Sequence, residues 1–414
     1  MRGGGGGEEV LTIKNSIKVF FDKTEGEEIV SLRILSPVSV INEVLDNTGV
    51  SSLTARLMTY STKNRSSEIL AKDLGSIGAD LSLDVTYDVA GLSMSCLCEY
   101  FCKASEILAD VVLNPIFDEK EFNFEKENAL AALNSRKDNI GTTAADEFAK
   151  LFYGDTSYSY PVIGRKESIF KITRQDLINW HKYSYNALNI LISVAGNVKE
   201  EVVKKSLEKH FSTVAIGDKF KEPIFNLNHN KSINNEIKGK FNQAYIFIGY
   251  PAPAVNGKDF VTTKVISAIL GSRMTSRLFV ELREKLGLAY EVNAVYPTRK
   301  KDSYFAIYIG LDKKNIKSTL KKIDELLKNF CSVKISKQEL KDVKSYIKGI
   351  YLLDRQTVNK KSYYNGWREV VGQGYEYDVE YLNDIDKVTT QDVLDVANKI
   401  FNGKTVSVII NPQG

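Results

Sequence analysis

The stretch LGSRMTSRLFVELREKLGLAY, residues 270–290, passes from a small-residue turn into an amphipathic helix, stops at Gly287 and opens a strand. Met274, Leu278 and Leu282 recur at helical spacing, and Arg277 stands four residues before Glu281, where an i,i+4 ion pair is expected. Leu288-Ala289-Tyr290-Glu291-Val292 then alternates as a half-buried strand does. Two side chains stand out in this stretch. Arg283 lies in the last turn before Gly287, where the helix dipole favours any cation. Tyr290, seven residues later, is an ordinary choice for a sheet position.

Working outward, the same succession occurs once before. Ser67 to Leu83 reads as a helix, a stop at Gly78 and a strand. Ile172-Thr-Arg-Gln-Asp176 followed by Leu177-Ile178 returns 216 residues later as Val388-Thr-Thr-Gln-Asp392 followed by Val393-Leu394. In each copy Thr is an expected helix N-cap with Asp three residues on, a variant of the capping box. Each leads to an apolar strand, Ile190–Val194 or Val406–Ile410. Segments 102–113 and 314–330 read as a further pair of equivalent helices.

Strands mixed with long helices predict an α+β fold. The repeat makes it two homologous domains, each a mainly antiparallel sheet with helices packed on one face. The expected division is a flexible leader over 1–9, an N-terminal domain over 10–212, a linker over 213–237 and a C-terminal domain over 238–414. The linker region is polar, rich in Lys and Asn, and carries Pro223.

Composition narrows the function classes. A chain of 414 residues with 43% hydrophobic content has material for two well-filled cores. Lys and Arg number 56 against 52 Asp and Glu, interspersed, and a net charge of +4 does not single out nucleic acid as a partner. No apolar run reaches the roughly 18 residues of a membrane span. The leader has five consecutive glycines and no apolar core like that of a secretory signal. The compartment stays open: cytoplasmic, or periplasmic if an export signal was removed. Of the four cysteines, Cys96, Cys98 and Cys102 form a C-x-C-x3-C cluster without a second Cys/His pair, which reads as strand and helix packing rather than a metal site. His181, His210 and His229 are far apart and none has another His or Cys at ligand spacing.

The segment around Arg283 and Tyr290 resembles the second-domain signature of the pitrilysin, insulinase and mitochondrial processing peptidase family of zinc peptidases. In that family an Arg and a Tyr at this spacing assist a zinc site. The family's first domain carries His-x-x-Glu-His on a helix, two ligands at i and i+4 with a general base between them. Here the matching helix is Gly49-Val-Ser-Ser-Leu-Thr-Ala-Arg-Leu-Met58. The positions of the first His, the base and the second His hold Ser52, Ala55 and Arg56, and the third-ligand position, 76 residues beyond Arg56, holds Ala132. A guanidinium, which does not deprotonate in proteins, would stand where a divalent cation should sit.

The resemblance therefore implies a chain that holds no zinc itself and lends Arg283 and Tyr290 to the zinc site of a partner. That partner would be a homologous subunit with an intact His-x-x-Glu-His motif, with zinc expected there. The substrate would be a peptide or unfolded protein, bound by main-chain pairing on a sheet edge that in this chain matches about Asp80 to Thr86. The likeness is to the non-catalytic subunit of bacterial two-chain members, half of a peptide-enclosing chamber. The alternative is a structural or assembly protein of the same fold with no role in proteolysis.

Overall fold

The computed structural model describes residues 8–412 apart from 226 and 228. Residues 1–7 of the expected leader lie outside the described residues, and Glu8 and Glu9 already belong to the first strand.

One sheet comprises β1 (Glu8–Thr12), β2 (Lys18–Lys23), β3 (Ile29–Ser36), β4 (Asp80–Leu83), β5 (Ala90–Leu97) and β6 (Leu191–Gly196). Its order is β1-β2-β6-β3-β5-β4, antiparallel throughout except at β2–β6. The other comprises β7 (Ile233–Gly239), β8 (Ala244–Ala252), β9 (Ala289–Val295), β10 (Ser303–Leu311) and β11 (Val406–Pro412), in the order β7-β11-β8-β10-β9. Here β7–β11 is the parallel pair. Without β1 the two orders are identical, so the sequence repeat is a duplicated sheet. β7 starts inside the segment expected as linker.

The local signals that carried the repeat are realised. Helices Arg174–Ser184 and Thr390–Phe401 each open on a reciprocal box. Thr173 N–H donates to Asp176 at 2.8 Å, and Thr389 N–H donates to Asp392 at the same distance. Gly78 and Gly287 both adopt left-handed φ, +57° and +59°, where a side chain would be strained.

The chain forms two compact units, and neither is contiguous. The first takes the chain up to Leu133, Tyr160–Ile224 and Leu353–Asp378, and the second takes Asn134–Ser159, Phe225–Leu352 and Val379 onward. The expected halves, 10–212 and 238–414, are thus crossed by an exchange of equivalent helices. Ile140–Tyr153 belongs to the second unit and Val358–Val370 to the first.

Within the first unit, Val30, Leu32 and Ile34 of β3 point into a core shared with Leu53, Leu57, Ile107 and Val111. This is the helix-covered face that the alternation predicts. The opposite face of β3 carries Ser31 and Arg33 beside Ser93, Ser95 and Ser193 of the flanking strands, and the exchanged helix Val358–Val370 lies on it. Arg33 is only 3% exposed, and each of its three guanidinium nitrogens is engaged. It bonds Ser362 Oγ at 3.0 Å, the Asn359 side-chain oxygen at 2.7 Å and carbonyl at 3.1 Å, and pairs with Asp84. Gly366 lets the helix approach, since a Cβ there would sit 2.6 Å from Leu35 Cδ1.

The second unit repeats the arrangement in apolar form. Tyr245 and Phe247 of β8 face helix Ile140–Tyr153, with the Phe148 and Phe247 ring centroids 4.7 Å apart. Gly249 leaves room for the Phe148 ring. Tyr250, from the alternate set, meets Phe401 of the C-terminal helix at 5.1 Å. The α+β class holds, and each sheet has, besides the expected helical layer, a helix on its second face.

Candidate functional site

Gly271 opens the diagnostic stretch because a Cβ there would collide with the Ala294 backbone of β9. Leu278 and Leu282 are fully buried, whereas Met274 lies exposed in the turn before the helix. The helix over Phe279–Lys285 is a π-helix, wider than the expected α-helix. It closes with Leu288 N–H donating to Leu282 C=O at 2.8 Å across Gly287. The ion pairing also differs from expectation. Arg277 reaches Glu339 through two bonds of 2.9 and 2.7 Å, and Glu281 pairs with Lys285 at 2.5 Å. A planar guanidinium finds a better bidentate acceptor across the fold than on its own helix.

Arg283 is exposed, with its guanidinium carbon 5.1 Å from the Phe279 ring centroid. It makes no hydrogen bond or ion pair among the described residues. Tyr290 departs from simple alternation. Glu291 pairs with Gly310 and Ala289 with Leu311, so Tyr290 is the extra residue of a β-bulge. The bulge lets Ala289 and Val292 both point inward and turns Tyr290 outward, 62% exposed. The Tyr290 hydroxyl is likewise without a partner among the described residues. The π-turn packs on β9, an edge strand, so both side chains belong to one corner of the second unit.

The four positions matching the zinc site lie in the first unit. Glu43 caps the helix Val50–Met58, accepting from Gly49 N–H and Ser51 N–H at 2.9 Å each. Burial pushes its carboxyl up to about 7, against the pull of those two N–H groups. On this helix Ser52 is 7% exposed, Ala55 is buried and Arg56 is exposed. Ala132 is exposed on helix Glu119–Arg136. Two methyl groups, a hydroxyl and a cation do not make a zinc donor set. Among the described residues, no group of three or more His, Cys, Asp or Glu is arranged to hold a metal ion.

The carboxylates of helix Glu119–Arg136 serve hydrogen bonds to the segment after the Val50–Met58 helix. Glu125 accepts from the Tyr60 phenol at 2.6 Å, and Glu121 accepts from Ser61 at 2.6 Å. Burial and the Glu125 bond push the Tyr60 phenol up to about 12, partly offset by the positive charge of Arg56. Sequence reasoning missed this link, because nothing local distinguishes Glu125 from its neighbours.

None of the three histidines joins a metal-binding group among the described residues. His181 Nε2 lies 2.7 Å from Val112 C=O, with its ring between Phe117 and Tyr185, and burial depresses its basicity. His229 packs against Phe152 with its ring tilted, and His210 lies near Glu106. The four cysteines are free thiols. Cys98 has left β5 for the following turn, and burial raises both its thiol and that of Cys96. β4 is an edge strand, paired only with β5. No helix among the described residues is long and apolar enough to cross a membrane.

Comparison with known proteins agrees with this architecture. The family model "Insulinase (Peptidase family M16)" matches residues 18–166, and "Peptidase M16 inactive domain" matches residues 171–347. An uncharacterized zinc protease of Rickettsia felis is 26% identical over 98% of this chain and 97% of its own length. A non-peptidase homologue from Helicobacter pylori is 23% identical over 88% of this chain and 85% of its own. The crystal structure of a peptidase M16 inactive domain from Pseudomonas fluorescens superposes with a TM-score of 0.91 at 21% identity, covering 99% of this chain and 98% of that one. With both halves matched by models of a single family and the duplicated sheet described above, this chain belongs to the M16 family of insulinase-type peptidases.

Proposed function

We propose that this chain is the non-catalytic subunit of a two-chain zinc peptidase and donates Arg283 and Tyr290 to the active site of its partner. The observation that carries the reading is the state of those two side chains. Both stand in solvent at backbone irregularities, a π-turn and a β-bulge, and neither is used by the fold for a hydrogen bond or ion pair. Such irregularities recur where a side chain is aimed for function.

The chemistry is electrostatic. As a peptide carbonyl is attacked, negative charge gathers on its oxygen, and a phenol O–H and guanidinium N–H aimed at that oxygen stabilise it. One such donor is typically worth about 10²- to 10³-fold in rate. Both residue types are donors at neutral pH. This chain lacks the groups to activate the nucleophile, so those come from a homologous subunit with His-x-x-Glu-His and its zinc. A peptide or unfolded segment pairing with a sheet edge supplies the substrate.

A scaffold or assembly role without proteolysis is the competing reading, favoured by the name of the Helicobacter pylori relative. Titrating this chain into a purified partner that carries the intact motif separates the two. Peptide cleavage rising to a plateau at equimolar ratio supports the subunit reading. Cleavage by the partner alone, unchanged by this chain, supports the scaffold.

A further inference from the structure

In the second unit, helix Lys337–Asp354 and the start of helix Thr390–Phe401 line a cavity of about 400 Å³ that the proposed function does not use. Lys337, Lys341, Lys344 and Lys348 recur at i, i+4, i+7 and i+11, so one helix face brings four ammonium groups to its wall. A basic helix face is ordinarily only a solvated surface. Two features set this one apart: the face forms one wall of a cavity, and Lys337 and Lys341 on it have no carboxylate partner among the described residues.

Lys348 pairs with Asp386 at 2.5 Å, the one carboxylate lining the cavity. Lys344 donates to the Asp386 backbone carbonyl at 2.7 Å. Lys337 and Lys341 make no hydrogen bond or ion pair among the described residues. The nearby acids are occupied: Asp392 takes the Thr389 N–H and hydroxyl, and Asp342 takes the Gln338 amide. Burial holds the Lys344 ammonium below its usual basicity and Lys348 adds to that effect, while Asp386 and Asp392 oppose it.

We propose that this cavity binds a linear oligophosphate, free or as the tail of a nucleotide. The three ammonium groups without a carboxylate partner, Lys337 to Lys344, span about 10 Å of helix at 1.5 Å per residue. A single phosphate does not bridge that distance, whereas a chain of linked phosphates does. Lysine suits such a ligand because its ammonium acts as a compact point charge toward phosphate oxygens.

Calorimetric titration of the full chain with tripolyphosphate tests the proposal, with a nucleoside triphosphate as a second arm and orthophosphate and sulfate at matched ionic strength as controls. The expected result is one-to-one binding of tripolyphosphate, at least tenfold tighter than either control. The double variant Lys341→Gln/Lys344→Gln should lose it by tenfold or more. Lys317→Gln/Lys321→Gln, exposed on another helix of the same unit, should leave it unchanged. Tighter binding of the nucleoside triphosphate identifies a nucleotide, and equal binding means the phosphate chain alone is read. Absence of saturable binding to the wild type, equal binding of sulfate, or equal loss in both double variants overturns the site.

Discussion

Arg283 and Tyr290 are side chains that the fold's own bonding does not use. Neither contributes a hydrogen bond or ion pair, and both face solvent. Arg283→Ala and Tyr290→Phe should therefore change unfolding free energy by no more than about 0.5 kcal/mol, as other surface substitutions do. Denaturant titration of the isolated chain checks this, and a loss above about 2 kcal/mol would mean that the fold depends on them. Glu43 is the opposite case. Its carboxyl is raised to about 7 in the fold, above the ordinary value near 4.5. The folded state therefore holds more protons than the unfolded state between those limits. Stability from this group is fully present below about pH 4.5 and is lost as pH rises through about 7, by at most about 3 kcal/mol. Glu43→Gln keeps an acceptor for the helix N-terminus and should flatten that slope. Unfolding curves of both proteins at pH 5 and 7.5 measure the difference, and parallel pH dependence would contradict it.

At the scale of elements, the legible features were those fixed by a few neighbouring residues. The boxes at Thr173 and Thr389 and the stops at Gly78 and Gly287 depend on local bonds and φ, so the sequence alone carries them. The bulge at Tyr290 depends on its register against Gly310 and Leu311, and the Arg277 pairing on Glu339, a residue 62 positions away. Neither is written in the local pattern. The run Ala244–Tyr250 did hold a signal of another kind: it is apolar at every position except Gly249, as a strand buried on both faces should be. β3 is harder to read because its second face is polar. Arg33 there is paired with Asp84 and hydrogen-bonded through all three guanidinium nitrogens beneath helix Val358–Val370. Arg33→Ala would leave Asp84 and the serine face without their partner and should cost about 3–5 kcal/mol. An unfolding transition shifted by less than about 1 kcal/mol would show that the joint is expendable.

For the whole molecule, the duplicated sheet order was foreshadowed by the 216-residue repeat, but the exchange of helices was not. Periodicity gives the face of a helix that seeks a partner and says nothing of which sheet supplies it. The exchange has a consequence for dissection. A fragment ending at residue 237 lacks Val358–Val370, so the Ser31, Arg33, Ser93 and Ser193 face is left bare. Such a fragment should show no cooperative thermal transition alone and should gain one when residues 238–414 are added in trans. A sharp melt of the fragment by itself would contradict the interdependence.

The degenerate zinc positions belong to the first unit and the Arg/Tyr corner to the second. Ser52, Ala55, Arg56 and Ala132 do not make a zinc donor set, Arg283 and Tyr290 make no hydrogen bond or ion pair among the described residues, and the proposed function assigns their use to a second chain. The most direct measurement is kcat for a model peptide at saturating concentration, with the zinc-bearing partner and this chain equimolar. Arg283→Ala and Tyr290→Phe should each lower kcat by about 10²-fold while leaving the affinity between the chains unchanged. Full turnover by both variants, in a complex that forms normally, would contradict the donor role.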